Sequence, residues 1–111
     1  MEIQTKYVVV LVSVPNEEVG VMIARALIEQ KLAACVNILP GMRSIYRWED
    51  RLVDDREMLL LVKTRAEGFQ ERLAPAIKAL HPYDLPEIIA LPIVQGTEAY
   101  LAWVEDNTKE A

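Results

Sequence analysis

An α+β fold of the ferredoxin-like type, β-α-β-β-α-β with an extra C-terminal helix, is what this sequence predicts, and three stretches predict it. YVVVLVSV from Tyr7 to Val14 and MLLLV from Met58 to Val62 are continuously apolar, as central strands covered on both faces are. KLAACVNILPGMRSIYRW from Lys31 to Trp48 reads as one long strand bent at Pro40 and Gly41, residues that suit a bulge better than a regular ladder. Helical periodicities fill the gaps between these strands.

Pro15 closes the first strand. Asn16 then offers an N-cap, Glu17 and Glu18 complement the positive first turn, and Val19, Met22, Ile23, Ala26 and Leu27 form one apolar stripe. This predicts a helix to about Gln30. After the bent strand, Glu49, Asp50 and Arg51 make a turn into a third strand from about Val53 to Lys63, so that strands two and three form a hairpin. Thr64 and Glu67 have capping-box spacing, and Phe69, Leu73, Ile77 and Leu80 follow at helical intervals. Pro75 is expected to kink this second helix, because an interior proline removes a backbone hydrogen bond. The run His81 to Pro86 stops it. A short strand from Glu87 to Leu91 lies between prolines, as suits a sheet edge. Gly96 and Thr97 introduce a last helix with Tyr100, Leu101 and Val104 on one side and Trp103 close by.

The 111 residues make one domain, residues 1–111, of which roughly a third of the unfolded-state surface stays exposed. Neither a signal-peptide pattern nor an apolar run long enough to span a bilayer is present, and the single cysteine forms no internal disulfide, so the expected address is the cytoplasm. A net charge of −5 argues against a nucleic-acid partner, which would need a clustered basic surface. No membrane partner is expected.

In this topology both crossover helices cover one face of the sheet, and the first and third strands are central. The other face of two fully apolar strands therefore needs a cover that the last helix supplies only in part. An apolar face of several hundred Å² left to water is unusual for a soluble monomer, so self-association through the sheet follows. The hairpin is longer than the first strand, and its tip should reach a neighbouring subunit.

LAACVNILPGMRSIYRWE from Leu32 to Glu49, LLLVKT from Leu59 to Thr64, ALHPYDLPEIIALPI from Ala79 to Ile93 and GTEAYLAWV from Gly96 to Val104 closely resemble the CutA divalent-cation-tolerance proteins. The resemblance covers nearly the whole chain in order. It implies a ferredoxin-like subunit in a homotrimer, similar in architecture to the PII signalling proteins, and an association with tolerance to copper and other divalent metals. In bacterial members of the family a metal site is assigned to a cysteine near the end of the first strand and to a His-His pair before Pro-Tyr. The corresponding positions here are Val12 and the pair Leu80 and His81, so two of three ligands are replaced by apolar residues.

As metal ligands this leaves His81 and Cys35; a single imidazole makes a poorly selective site, so copper or another divalent cation would bind weakly, and no cofactor is required. Each has a plainer reading, Cys35 as a small apolar core residue and His81 as a helix-end residue facing the negative terminus. Asp84 and Glu87 stand near His81 as oxygen donors. Trp48, Lys63, Tyr83, Asp84 and Glu87 are the candidates for an intersubunit cleft, since aromatics with a polar edge suit such pockets. Arg43 and Arg47 are expected to pair with the acidic excess, and the run Glu49 to Glu57 to form a solvated hairpin tip or a rim between subunits.

An enzyme is not expected. There is no Gly-rich phosphate loop and no hydrolase histidine spacing, and Ser13 and Ser44 have no local base. The glycine-rich anion loop of acylphosphatases is missing after the first strand, and the exposed aromatics of RNA-recognition sheets are replaced by Val and Leu. Three readings remain: a non-enzymatic trimer in divalent-cation tolerance, a PII-like module binding a small molecule or protein at its clefts, and a scaffold with no small ligand.

Overall fold

A computed structural model describes residues 5–109. Strand β1 spans Tyr7–Val14, helix α1 Glu17–Glu29, β2 Cys35–Trp48, β3 Arg51–Arg65, helix α2 Ala74–Leu80, β4 Ile88–Pro92 and helix α3 Glu98–Asp106. The four strands form one antiparallel sheet in the order β2-β3-β1-β4, so β1 and β3 are central, as the two apolar runs predict, and β4 is an edge.

Asn16 caps α1 as expected, its side-chain oxygen accepting the Val19 N–H at 2.9 Å. The helix closes with the Leu32 amide on the Leu27 carbonyl and the Lys31 amide on that of Ile28, the Schellman pattern, and Lys31 takes the left-handed position at φ 58°. Ile23 and Leu27 of α1 and Ile77 of α2 pack on Val10, Val12, Val14, Leu60 and Val62, all fully buried, and this layer is the core. Pro40 and Gly41 bend β2 where its register with β3 slips between Leu39 and Met42, and Gly41 has the positive φ of 79° that such a bulge favours.

Three expectations need correction. The third strand is longer than predicted, running to Arg65, because it keeps pairing with β1 as far as Tyr7. Thr64 is therefore a strand residue and no cap: it is buried, and its hydroxyl donates to the Leu32 carbonyl at 2.7 Å. The second helical segment opens instead at Gly68, φ 83°, with a π-helical turn over Phe69–Leu73, and Pro75 stands in the first turn of α2. The helical run is continuous from Phe69 through Leu80, with the Ala74 amide on the Phe69 carbonyl, so Pro75 falls where the wider turn passes into α2 and its missing donor coincides with that irregularity. β4 lies one residue later than predicted.

The second face of the sheet carries Leu11, Leu59 and Leu61 at its centre, with Leu39, Ile89 and Leu91 around them, as the cross-strand register dictates. Helix α3 lies at one end of this face. It is pinned there by an ion pair from Lys6 to Glu105, by the Tyr7 hydroxyl donating to Glu105 at 3.4 Å, and by the Arg65 guanidinium on the side chain and carbonyl of Thr108 at 2.9 and 2.7 Å. Leu59 and Leu61 are consequently only half-buried, not covered on both sides, and Leu39, Ile89 and Leu91 are exposed.

Beyond Met58, β3 has no β1 to pair with, so Met42–Trp48 and Arg51–Glu57 form a two-stranded arm. Its tip is a two-residue turn with Glu49 at φ 50° and Asp50 at φ 62°. The arm makes the molecule extended: the radius of gyration is 14.6 Å, against about 13 Å for a compact chain of this size.

Candidate functional site

The C-terminal end of β1 and the end of α2 are tied together by His81. This residue caps α2 with extended backbone, φ −82° and ψ 134°, and Pro82 prevents the helix from continuing. The His81 ring is buried. Its Nε2 lies 2.7 Å from the Ser13 carbonyl and its Nδ1 accepts the Tyr83 amide at 3.2 Å, which sets the tautomer: Nε2 carries the hydrogen and donates it. Both ring nitrogens are thus engaged with backbone. A metal would have to displace one of these bonds.

From His81 the connection continues outward. The Tyr83 ring packs against the imidazole at 4.7 Å, and its hydroxyl donates to Glu57 Oε2 on β3 at 2.8 Å. Burial, then the hydrogen bond to the Glu57 carboxylate, push the Tyr83 phenol far up. On the arm, the Tyr46 hydroxyl donates to Asp55 at 2.7 Å, and that bond holds the Tyr46 phenol above its ordinary value.

A cavity of about 680 Å³ lies between the arm, the end of β1 and the loop after α2; Ser13, Tyr46, Arg47, Trp48, Asp55, Glu57, Tyr83, Asp84 and Glu87 are among its walls. Of the residues predicted for a cleft, Trp48, Tyr83, Asp84 and Glu87 meet here, and Lys63 does not. Lys63 pairs with Cys35 and Val9 at the other end of the sheet. Val9 stands four β1 positions from Ser13, about 13 Å at the rise of a strand, so Cys35 and His81 do not face a common ion within one subunit. Cys35 is half-buried against Tyr100 of α3, whose phenol is raised by burial and by the thiol. Val12 is fully buried in the core, and Leu80 packs against it.

Arg43 forms the predicted pair, a bidentate contact with Asp54 at 2.7 and 2.8 Å. Glu57 is the residue that sequence reasoning misses. The charge-rich run groups it with a solvated tip, yet it is only 7% exposed. The signal is available in strand parity: Glu57 stands two and four positions before the half-buried Leu59 and Leu61, on the same side of the strand.

Tyr83 gives a testable pH dependence. Its folded-state pKa lies above the unfolded value of about 10, so the bond to Glu57 contributes stability that is complete below pH 10 and lost as pH rises beyond it. Tyrosinate absorbance should show one phenol that ionises only on unfolding, and Tyr83→Phe should remove that phenol from the titration; a Tyr83 that titrates with the exposed tyrosines contradicts the buried pair.

The model of the family described as CutA1 divalent ion tolerance protein matches residues 8–107, from β1 to the end of α3. The divalent-cation tolerance protein CutA of Thermus thermophilus is 57% identical over 100 residues, 90% of this chain and 96% of that protein. The chloroplastic protein CutA of Arabidopsis thaliana is 47% identical over 102 residues, 92% of this chain but 56% of the plant protein, so the chain spans just over half of that relative. Among solved structures, the divalent cation tolerance protein from Thermus thermophilus superposes with a TM-score of 0.89 at 55% identity, covering 93% of this chain and 99% of that one. The family match over residues 8–107, the 57% identity to a relative covered over 96% of its length and the superposition at a TM-score of 0.89 place this chain in the CutA1 divalent ion tolerance protein family.

Proposed function

We propose that the chain works as a non-enzymatic cytoplasmic homotrimer in divalent-cation tolerance, one that takes up copper or another divalent cation weakly at most. The observation that carries the trimer is the uncovered second face. Leu39, Ile89 and Leu91 are each close to half exposed, around Leu11, Leu59 and Leu61, and α3 reaches only one end of the sheet. The arm supports it too, because a two-stranded hairpin is marginally stable alone and gains support from a neighbour. Weak metal binding is supported by the engagement of both His81 nitrogens and by its separation from Cys35. The free thiol fits a reducing compartment.

A second reading, a PII-like module that binds a small molecule at its clefts, is favoured by the cavity that gathers Trp48, Tyr83, Asp84 and Glu87. Native mass spectra of the metal-free chain, then titrated with copper and zinc, test the first reading. A trimer that takes up metal only at high concentration supports it. A monomer removes the argument from the sheet face, and stoichiometric uptake at low micromolar metal removes the weak-binding claim.

A further inference from the structure

The cavity at the base of the arm has an excess of negative charge, and the carboxylates that provide it are spread around its walls. Asp55, Glu57, Asp84 and Glu87 face Arg47 as the only cation among the described residues of the lining. Glu57 is the informative one. With Oε2 taken by the Tyr83 hydroxyl, Oε1 accepts no hydrogen bond from the described residues, although the side chain is 7% exposed and no buried oxygen among them is sealed without a partner. Oε1 therefore opens on the cavity. A carboxylate that is mostly buried and half-satisfied is a strong acceptor for any cationic donor that reaches it.

Two kinds of cation answer such a field, a metal ion or an organic ammonium, and the geometry separates them. A hard metal ion needs several ligand oxygens within about 2.6 Å of one point. Among the described residues no three His, Cys, Asp or Glu side chains lie close enough to hold one. Dispersed carboxylates suit an extended ligand with more than one donor. The volume, about 680 Å³, falls within the range of small-molecule sites and is far larger than a bare ion requires. Trp48 and Tyr46 add π faces that attract ammonium groups while covering hydrocarbon.

We propose that this cavity binds a small organic cation of the amine or diamine class, with one ammonium donating to Glu57 Oε1 and the hydrocarbon stem lying along Trp48. The proposal deepens the second reading above and rests on it. A second ammonium is placed to meet Asp84 or Glu87 on the facing loop, which gives the site a preference for diamines over monoamines.

Calorimetry and tryptophan fluorescence on the full chain in its native assembly test this. The probes are diaminobutane, the neutral butanediol and the anionic succinate, and a Trp103→Phe background makes Trp48 the sole fluorescent tryptophan. Diaminobutane should saturate a site and change Trp48 emission, with affinity falling as salt rises. Glu57→Gln, which keeps an acceptor for Tyr83, should weaken it about tenfold or more, as loss of a charge-assisted bond does. Asp84→Asn, on an exposed loop, should weaken it less and serves where Glu57→Gln fails to fold. Binding of butanediol as tight as that of the diamine overturns the proposal, and so does a diamine affinity indifferent to both variants. Zinc uptake that Glu57→Gln abolishes, with the diamine ignored, replaces the organic cation by a metal. Succinate binding alone overturns the cation class while leaving the cavity a small-molecule site, whereas no binding by any probe overturns both.

Discussion

Leu91→Asp is expected to convert the proposed trimer into monomers at micromolar concentration while leaving the subunit folded. Leu91 sits on the edge strand β4, opposite Val9, with its side chain on the second face and 46% exposed in the single subunit. An edge position with that exposure tolerates a carboxylate in the monomer. In an assembly that buries the face, the same carboxylate loses its water without gaining a partner. Each copy then loses about 1–2 kcal/mol of apolar burial and incurs several kcal/mol for an unpaired buried charge. Closed symmetry repeats this at every interface. Native mass spectrometry reads the outcome directly, with circular dichroism to verify the fold. Met22→Asp makes the control, since Met22 is similarly exposed, at 43%, but lies on α1 on the opposite side of the sheet. Dissociation by both substitutions alike, or by neither, takes the second face out of the interface.

The features legible in the sequence are those fixed by neighbours along the chain. Asn16 needs only the Val19 amide three residues away, and the bend at Pro40 and Gly41 needs only their own dihedral preferences, so both are readable. Thr64 and Glu67 have the right local spacing for a cap, but Thr64 finds the Leu32 carbonyl, 32 residues distant, and β3 goes on pairing. Tertiary contact overrides a correct local signal. The π-helical turn over Phe69–Leu73 is marked in the sequence only by its flanks, Gly68 with its positive φ of 83° and Pro75 with no amide to donate. The cavity is half legible: Trp48, Tyr83, Asp84 and Glu87 are candidates by chemistry, but the bond from Tyr83 to Glu57 joins a loop to a strand 26 residues away. Lys63 lies outside the cavity of the single subunit for a similar reason, since nothing along the chain measures which end of a long strand faces which loop.

His81→Ala is expected to destabilise the subunit by about 2–4 kcal/mol, because it leaves two buried backbone partners unsatisfied at once. The Ser13 carbonyl loses its donor, the Tyr83 amide loses its acceptor, and the Tyr83 ring loses the imidazole beside it. The thermal midpoint at fixed protein concentration measures this, since assembly makes that midpoint concentration-dependent. His81→Gln separates structure from ligation. A glutamine amide has both a donor and an acceptor, so it can span from Ser13 to Tyr83 and recover part of the loss, but it is a poor ligand for copper or zinc. If glutamine restores stability and metal uptake is the same in wild type and both variants, His81 acts by fastening β1 to the loop after α2, and the cavity depends on it only through the placement of Tyr83. If uptake falls in the glutamine variant with the assembly intact, the imidazole is a ligand, and one of its two backbone bonds gives way when metal binds.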